Sequence, residues 1–327
     1  MDWLTQMALG KPVWMWAAFL AVVLALLVLD LGVLHRKQKE IGVRESLLLS
    51  AGYITAGLGF GVWVWSELGR QAGLEYVTGF LVEKSLAMDN VFVIATIFAA
   101  FAVPRAYQHR VLFWGILGVI VLRAIMIGVG AALVANFEWI LLVFAAFLVV
   151  VGARMLFSSH EPADPRDNAV YRWLAGHLRL TPDFEGSRFF VRRTPPGGSK
   201  AVLYATPLFL ALVMIELADV VFAVDSVPAI FAITTDPYIV YTSNIFAILG
   251  LRALYFALAA VTARFAYLKH ALALLLIFIG GKVFVAEAAG WEKFPAPASL
   301  GITAAILAGG IIYSLWRTER RPPEPAA

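Results

Sequence analysis

The sequence predicts an all-α polytopic membrane protein of about nine transmembrane helices, with an inverted three-helix repeat formed by spans 3–5 and 6–8. Three observations predict it. First, 61% of the 327 residues are hydrophobic and only 15% are charged, with a mean hydropathy of +0.82. A soluble domain is nearer half apolar and a quarter charged. Second, the apolar residues come in runs near 20 residues, the length a helix needs to cross about 30 Å of hydrocarbon at about 1.5 Å per residue. Third, basic residues crowd every other connection, as they do where charge sets topology.

The nine runs are 13–34, 46–66, 76–102, 111–134, 138–157, 202–230, 239–262, 271–287 and 299–316. The first follows a single cation, Lys11, and ends in HRKQKE without a small-residue cleavage site, so it reads as a retained span and not a signal peptide. Arg36, Lys37, Lys39 and Arg44 follow span 1, and Arg105 and Arg110 follow span 3. Seven cations from Arg166 to Lys200 follow span 5, Arg264 and Lys269 follow span 7, and Arg317, Arg320 and Arg321 follow span 9. The connections between hold only Arg70 and Lys293. The alternation places the N-terminus outside and the C-terminus in the cytoplasm of a bacterial-type inner membrane. Residues 1–157 then carry helices 1–5, 158–200 a cytoplasmic loop, 201–317 helices 6–9 and 318–327 a cytoplasmic tail. The loop is rich in Pro, Gly, Arg and Asp and too poor in apolar residues for a core of its own; its RRTPPGGSK end reads as flexible and the RPPEPAA tail as disordered. Trp3, Trp14, Trp16, Trp63, Trp65, Trp139, Trp291 and Trp316 fall near span ends, as an interfacial belt does.

This composition argues against a soluble enzyme, a nucleic-acid binder and a secreted disulfide scaffold. The net charge of +4 reads as topology signal. There is no cysteine, so there are no disulfides, cysteine–zinc sites or thiol nucleophiles. No HExxH, paired GxGD or Ser–His pair lies in the spans, so no enzyme and no cofactor is expected.

Three short matches recur in order in the two halves. Glu83-Lys-Ser-Leu-Ala-Met-Asp89-Asn90-Val in span 3 parallels Asp219-Val-Val-Phe-Ala-Val-Asp225-Ser226-Val in span 6. Leu122-Arg123-Ala124 parallels Leu251-Arg252-Ala253, and Gly152-Ala-Arg154 parallels Gly280-Gly-Lys282. Spans 3 and 6 run in opposite directions, so the units 3-4-5 and 6-7-8 are inverted copies. Inverted repeats mark transporters with a site near the membrane midplane.

Asp30, Glu83, Lys84, Asp89, Arg123, Arg154, Glu216, Asp219, Asp225, Arg252 and Lys282 lie inside the spans. Each such charge costs at least about 2.5–3.5 kcal/mol at a helix centre, so these groups must face a polar interior. Glu83, Asp89, Glu216, Asp219 and Asp225, with Asn90 and Ser226, form an oxygen-donor set suited to a hard divalent cation; protons are also possible. Met88 and Met214 stand close by, where packing is the ordinary role of methionine. Internal salt bridging to Arg123 and Arg252 is the bland alternative, and in a binding site these two would stabilise the empty state. Lys84 points about 100° away from Glu83 and serves another neighbour; Asn244, with Thr242 and Ser243, reads first as helix capping and second as site lining. Glu83 and Asp89 are six residues apart, about 9 Å along a regular helix and about 120° round it. One site therefore needs unwinding near Asp89 and Asp225, helped by Pro228, which cannot donate to the Val224 carbonyl; otherwise there are two stations along a path.

Residues 83–92 (EKSLAMDNVF) and 216–256 (ELADVVFAVDSVPAIFAITTDPYIVYTSNIFAILGLRALYF) resemble the TerC family of integral membrane proteins, its Alx-type branch in particular, over nearly the whole chain. That family is grouped with the LysE-like exporters, and the resemblance implies export of Mn²⁺, with all five acids at matching positions. The expected partners are a divalent cation and the lipid bilayer, with no nucleic acid. Two other functions stay open: export of a small organic solute such as an amino acid, and a tellurium-resistance-associated scaffold without transport. The absence of cysteine argues against thiol-based tellurite reduction.

Overall fold

Backbone in hydrocarbon must satisfy its own hydrogen bonds, and a helix does so within one segment. The computed structural model describes residues 3–29, 43–137, 139–157, 164–194, 200–258, 268–291 and 293–319, and it is mostly helical. Its helices are α1 (Val13–Val28), α2 (Val43–Ala100), α3 (Arg105–Asn136), α4 (Ile140–Phe157), α5 (Ala169–His177), α6 (Pro207–Phe231), α7 (Pro237–Ile248), α8 (Leu251–Leu258), α9 (Leu268–Ala288) and α10 (Ala296–Glu319). Two antiparallel hairpins complete it: β1 (Met7–Ala8) with β2 (Lys11–Pro12), and β3 (Phe190–Arg193) with β4 (Val202–Ala205).

Seven helical stretches are long and apolar enough to cross a membrane, two fewer than the nine expected spans. The difference has two sources. The described part of the first expected span is a helix of only 16 residues. The second and third spans share α2, which is folded back on itself. Gly69 breaks its helical geometry at φ 89°, ψ 174°, a region open to glycine because it has no Cβ. A Cβ at Gly57 would strike Phe80, at Gly61 Tyr76, and at Gly73 Trp65. These pairs converge on Gly69, the pattern of an antiparallel hairpin, and Tyr76 Oη fastens it by donating to the Gly57 carbonyl at 3.0 Å.

The connections sort to two ends. At one end Lys11 pairs with Asp236 at 2.8 Å, and Lys293 approaches Glu75 at 3.8 Å. This joins the N-terminal hairpin, the α6–α7 turn and the α9–α10 turn beside Gly69; Trp139 of the α3–α4 turn lines the same region as Thr234 and Trp291. At the other end Arg166 donates to the Ala100 carbonyl and Arg110 to Ser187 at 3.1 Å. The alternating charge pattern expects this same grouping.

The long connection expected as a plain loop carries structure in its described part, 164–194. Asn168 caps α5 by accepting from Val170 N, and β3 pairs with β4. Tyr171, Leu174, Leu180, Phe184 and Phe189 pack on the apolar cluster around Phe98, Phe101 and Leu208. The segment borrows its core from the helical bundle, which a composition reading of the segment alone misses. Residues 195–199, most of the RRTPPGGSK run, lie outside the described residues, as do Asp30 and the tail from 320.

At the crossing of α4 and α9 a Cβ on Gly152 would meet the Ala273 carbonyl at 2.7 Å, and one on Gly280 the Ala145 carbonyl at 2.5 Å. Neither obstacle can swing aside, because both are backbone. Gly280→Val therefore wedges the helices apart; overpacking of this kind costs about 1–3 kcal/mol. Thermal unfolding in detergent should show a lower midpoint for Gly280→Val than for Gly281→Val, whose position is open.

Candidate metal centre

Four helices converge on one guanidinium. Arg123, from the middle of α3, is 1% exposed. Its Nη1 reaches Glu83 Oε1 of α2 at 2.5 Å, Ser226 Oγ of α6 at 2.6 Å and Asn244 Oδ1 of α7 at 3.3 Å. Its Nε and Nη2 each lie 3.4 Å from an oxygen of Asp219 on α6. Asn90, two turns beyond Glu83 on α2, donates from Nδ2 to Asp219 Oδ1 at 3.4 Å. A fork of donors on an always-charged group suits this task, since it engages several oxygens from one point.

The local sequence explains the convergence. Glu83 and Asn90 are seven residues apart, two helical turns, so they share a face of α2. Asp219 and Ser226 repeat that spacing on α6. Glu216 is three residues before Asp219 and lies on the same side. Its carboxylate rests against Gly118 of α3, where a Cβ would fall on it. Gly118 is thus a site residue that the sequence reading missed; its only signal was a glycine in an apolar run.

One guanidinium engages two carboxyl groups, Glu83 and Asp219, and a third, Glu216, stands one turn before Asp219 on α6. Glu83 Oε2, Asn90 Oδ1 and Glu216 Oε2 are buried with no hydrogen-bond partner among the described residues. Buried oxygens of that kind are costly unless something binds them. A cavity of about 30 Å³ opens beside Asn90 and Asp219 and is walled by Ile94, Leu112, Ile215 and Leu251. It has room for a water molecule or a bare ion. Towards the end that carries α5, Phe98 packs edge-on against Tyr255 at 5.5 Å, and Tyr255 Oη donates to Gln108 Oε1 at 3.1 Å.

Not every expected ligand joins this cluster. Asp225 is half-buried and six residues beyond Asp219, so it projects about 120° round α6 from it. That is the side where Ala229, one turn on, packs with Leu148 and Leu275. The expected unwinding near Asp89 and Asp225 is not found: α2 and α6 run on through both positions. Pro228 sits in the last turn of α6, where its missing N–H leaves the helix intact. The side chain of Asp89 lies outside the described residues. Among the described residues no group of three or more His, Asp or Glu stands close enough to hold a metal; Arg123 occupies the space between Glu83 and Asp219. Arg252 is buried, two residues beyond a break between α7 and α8.

Asn244 corrects another expectation. Asp236 caps α7, accepting from Tyr238 N and Ile239 N, so Asn244 is no cap. It is fully buried mid-helix and turned to Arg123. Lys282 is likewise buried and donates to Ser299 at 2.9 Å, whereas Arg154 is exposed on the last turn of α4.

Apolar spanning helices that enclose such a cluster define an integral membrane protein with a charged interior. The chain matches the model of the integral membrane protein TerC family over residues 68–322, and it belongs to that family. It is 47% identical over 302 residues to an uncharacterized membrane protein of Rickettsia bellii, covering 92% of this chain and 97% of the relative. It is 44% identical over 319 residues to a membrane protein of Myxococcus xanthus, covering 98% and 97%. It is also 44% identical over 316 residues to Alx of Escherichia coli K12, whose name proposes a membrane-bound redox modulator, covering 94% and 95%. No solved structure matches the chain.

Removing Arg123 leaves two buried carboxylates without their cation. Breaking a buried pair in this way costs about 3–5 kcal/mol. Arg123→Met should therefore lower the unfolding midpoint steeply, and Arg123→Met with Glu83→Gln should recover part of the loss in a double-mutant cycle.

Proposed function

We propose that the chain is a transmembrane exporter of a divalent metal cation, Mn²⁺ in particular, which passes through the carboxylate site beside Arg123. The observation that carries this reading is the excess of carboxyl groups over cations there, with three buried oxygens unpartnered among the described residues. Carboxylate and amide oxygens are hard donors of the kind Mn²⁺ takes. Arg123 stands where the ion would stand and stabilises the empty site. An arriving ion repels the guanidinium and takes over Glu83 and Asp219, with Asn90 and Glu216 at hand. Asp89 and Asp225, six residues further along α2 and α6, form a second station on the path. Arg252, matching Arg123 in the second half, balances that station's charge.

Further support comes from the architecture. On this reading the chain makes nine passes: α1, the two limbs of α2, α3, α4, α6, α7 with α8, α9 and α10. The inverted repeat is supported by the α4–α9 crossing. Gly152 and Gly280, matched by the sequence repeat, each abut a carbonyl on the other helix, and each of those carbonyls lies seven residues before the other glycine. The N-terminal end faces outward, and the end covered by α5 and β3 faces the cytoplasm of the inner membrane. The small cavity favours an ion over an organic solute, whose pockets run to about 300–1,000 Å³. Any redox role like that named for the Escherichia coli relative would not use thiols of this chain, which has no cysteine.

In proteoliposomes with an enclosed metal-sensing dye, the chain should carry Mn²⁺, and Glu83→Gln and Asp219→Asn should each lower the flux at least tenfold. Asp89→Asn and Asp225→Asn should do the same while eluting as the wild type does. Unchanged flux in all four variants rejects the site. Amino-acid counterflow without metal flux would favour the organic-solute reading, and loss of stability without any flux the scaffold. The absence of native cysteine also makes orientation directly testable. A cysteine at Arg70 or Lys293 should react with an impermeant maleimide on intact cells, and one at Arg110 or Arg188 should not.

A further inference from the structure

The expected seventh span is not one helix. α7 stops at Ile248 and α8 starts at Leu251. Between them Leu249 takes φ −54°, ψ 132°, and Gly250 takes φ 82°. The ring of Tyr53 lies over Gly250, where a Cβ would come within 2.6 Å of it, so a side chain at 250 is excluded on two counts. The break is deep in the protein, with Ala247, Ile248 and Leu249 each at most 2% exposed. It takes carbonyls out of the helical ladder where no bulk water can meet them.

Lys84 meets them instead. Its Nζ donates to the Ala247 carbonyl at 3.0 Å and to the Leu249 carbonyl at 3.4 Å. Lys84 is 8% exposed, and no carboxylate lies within ion-pair distance of it among the described residues. Its only partners there are backbone oxygens at the C-terminal end of a half-helix, where the helix dipole is negative. Carbonyls at such a break are what coordinate a small monovalent cation in transporters with discontinuous helices.

We infer that the α7–α8 break is a monovalent-cation site that the protein fills with its own Lys84 ammonium. The ammonium neutralises the end of α7, fixes the angle between α7 and α8, and ties α2 of the first half to them. Asn244, which meets Arg123 in the candidate metal centre, lies before the break, so the tether also sets its placement. It follows that the wild-type chain needs no sodium or potassium at this place. A chain without the ammonium would take up such an ion. The inference does not rest on metal export, because it is read from stability.

The experiment is thermal unfolding of the purified full chain in detergent, at constant ionic strength, in choline, sodium, potassium or ethylammonium chloride. The wild-type midpoint should be indifferent to the exchange. Lys84→Ala and Lys84→Gln should melt several degrees lower in choline. They should regain at least half of that loss, saturably, in one of the other three salts. A wild-type midpoint that rises saturably with sodium or potassium would show the carbonyls open to an outside ion and overturn the inference, even where neither variant accumulates. Variants that fold but recover in none of the salts would overturn it too.

Discussion

The guanidinium of Arg123 is the interaction on which the interior depends. Ionisable groups are kept in apolar surroundings only when they compensate one another, because the desolvation of each is several kcal/mol. Here one side chain from α3 engages α2, α6 and α7 through Glu83, Asp219, Ser226 and Asn244. It does so incompletely, since Glu216 adds a third carboxyl group and oxygens remain without partners among the described residues. That imbalance of charge is what the proposed passage of a divalent cation draws on.

The same rule acts on the backbone. A bilayer offers no water to a carbonyl taken out of a helix, so a break is tolerated only where something else fills the vacancy. At Gly69 the break lies beside connections that share an end of the molecule, with Lys293 and Gln71 close to Glu75. At Leu249–Gly250 it lies in the interior, and Lys84 supplies the donor. Proline was the obvious suspect for a break, yet Pro228 leaves α6 continuous. A proline in the last turn of a helix removes a single hydrogen bond, whereas a glycine held at positive φ redirects the chain.

Close approach of helices is the third element. Glycines let α2 fold back on itself and let α4 and α9 cross backbone to backbone. Tight crossings of this kind stand in for hydrophobic driving force in lipid, where apolar surface gains nothing by leaving water.

The sequence by itself determined the membrane class, the approximate position of nearly every apolar run, the grouping of connections by charge, and three acids that meet inside the bundle, Glu83, Glu216 and Asp219. These follow from composition and from one-dimensional spacing, which a bilayer of fixed thickness reads directly. It also singled out Arg123 as the compensating charge for those acids. Only the tertiary structure decided that Glu83 and Asp219 share that arginine while Asp225 points elsewhere. It likewise decided that Asn244 belongs to the cluster and caps nothing, that Gly118 makes room for Glu216, and that the break falls at Gly250. Each of these depends on which faces of separate helices meet. Helix faces are legible in a sequence, but their pairing is set by close packing among partners far apart along the chain.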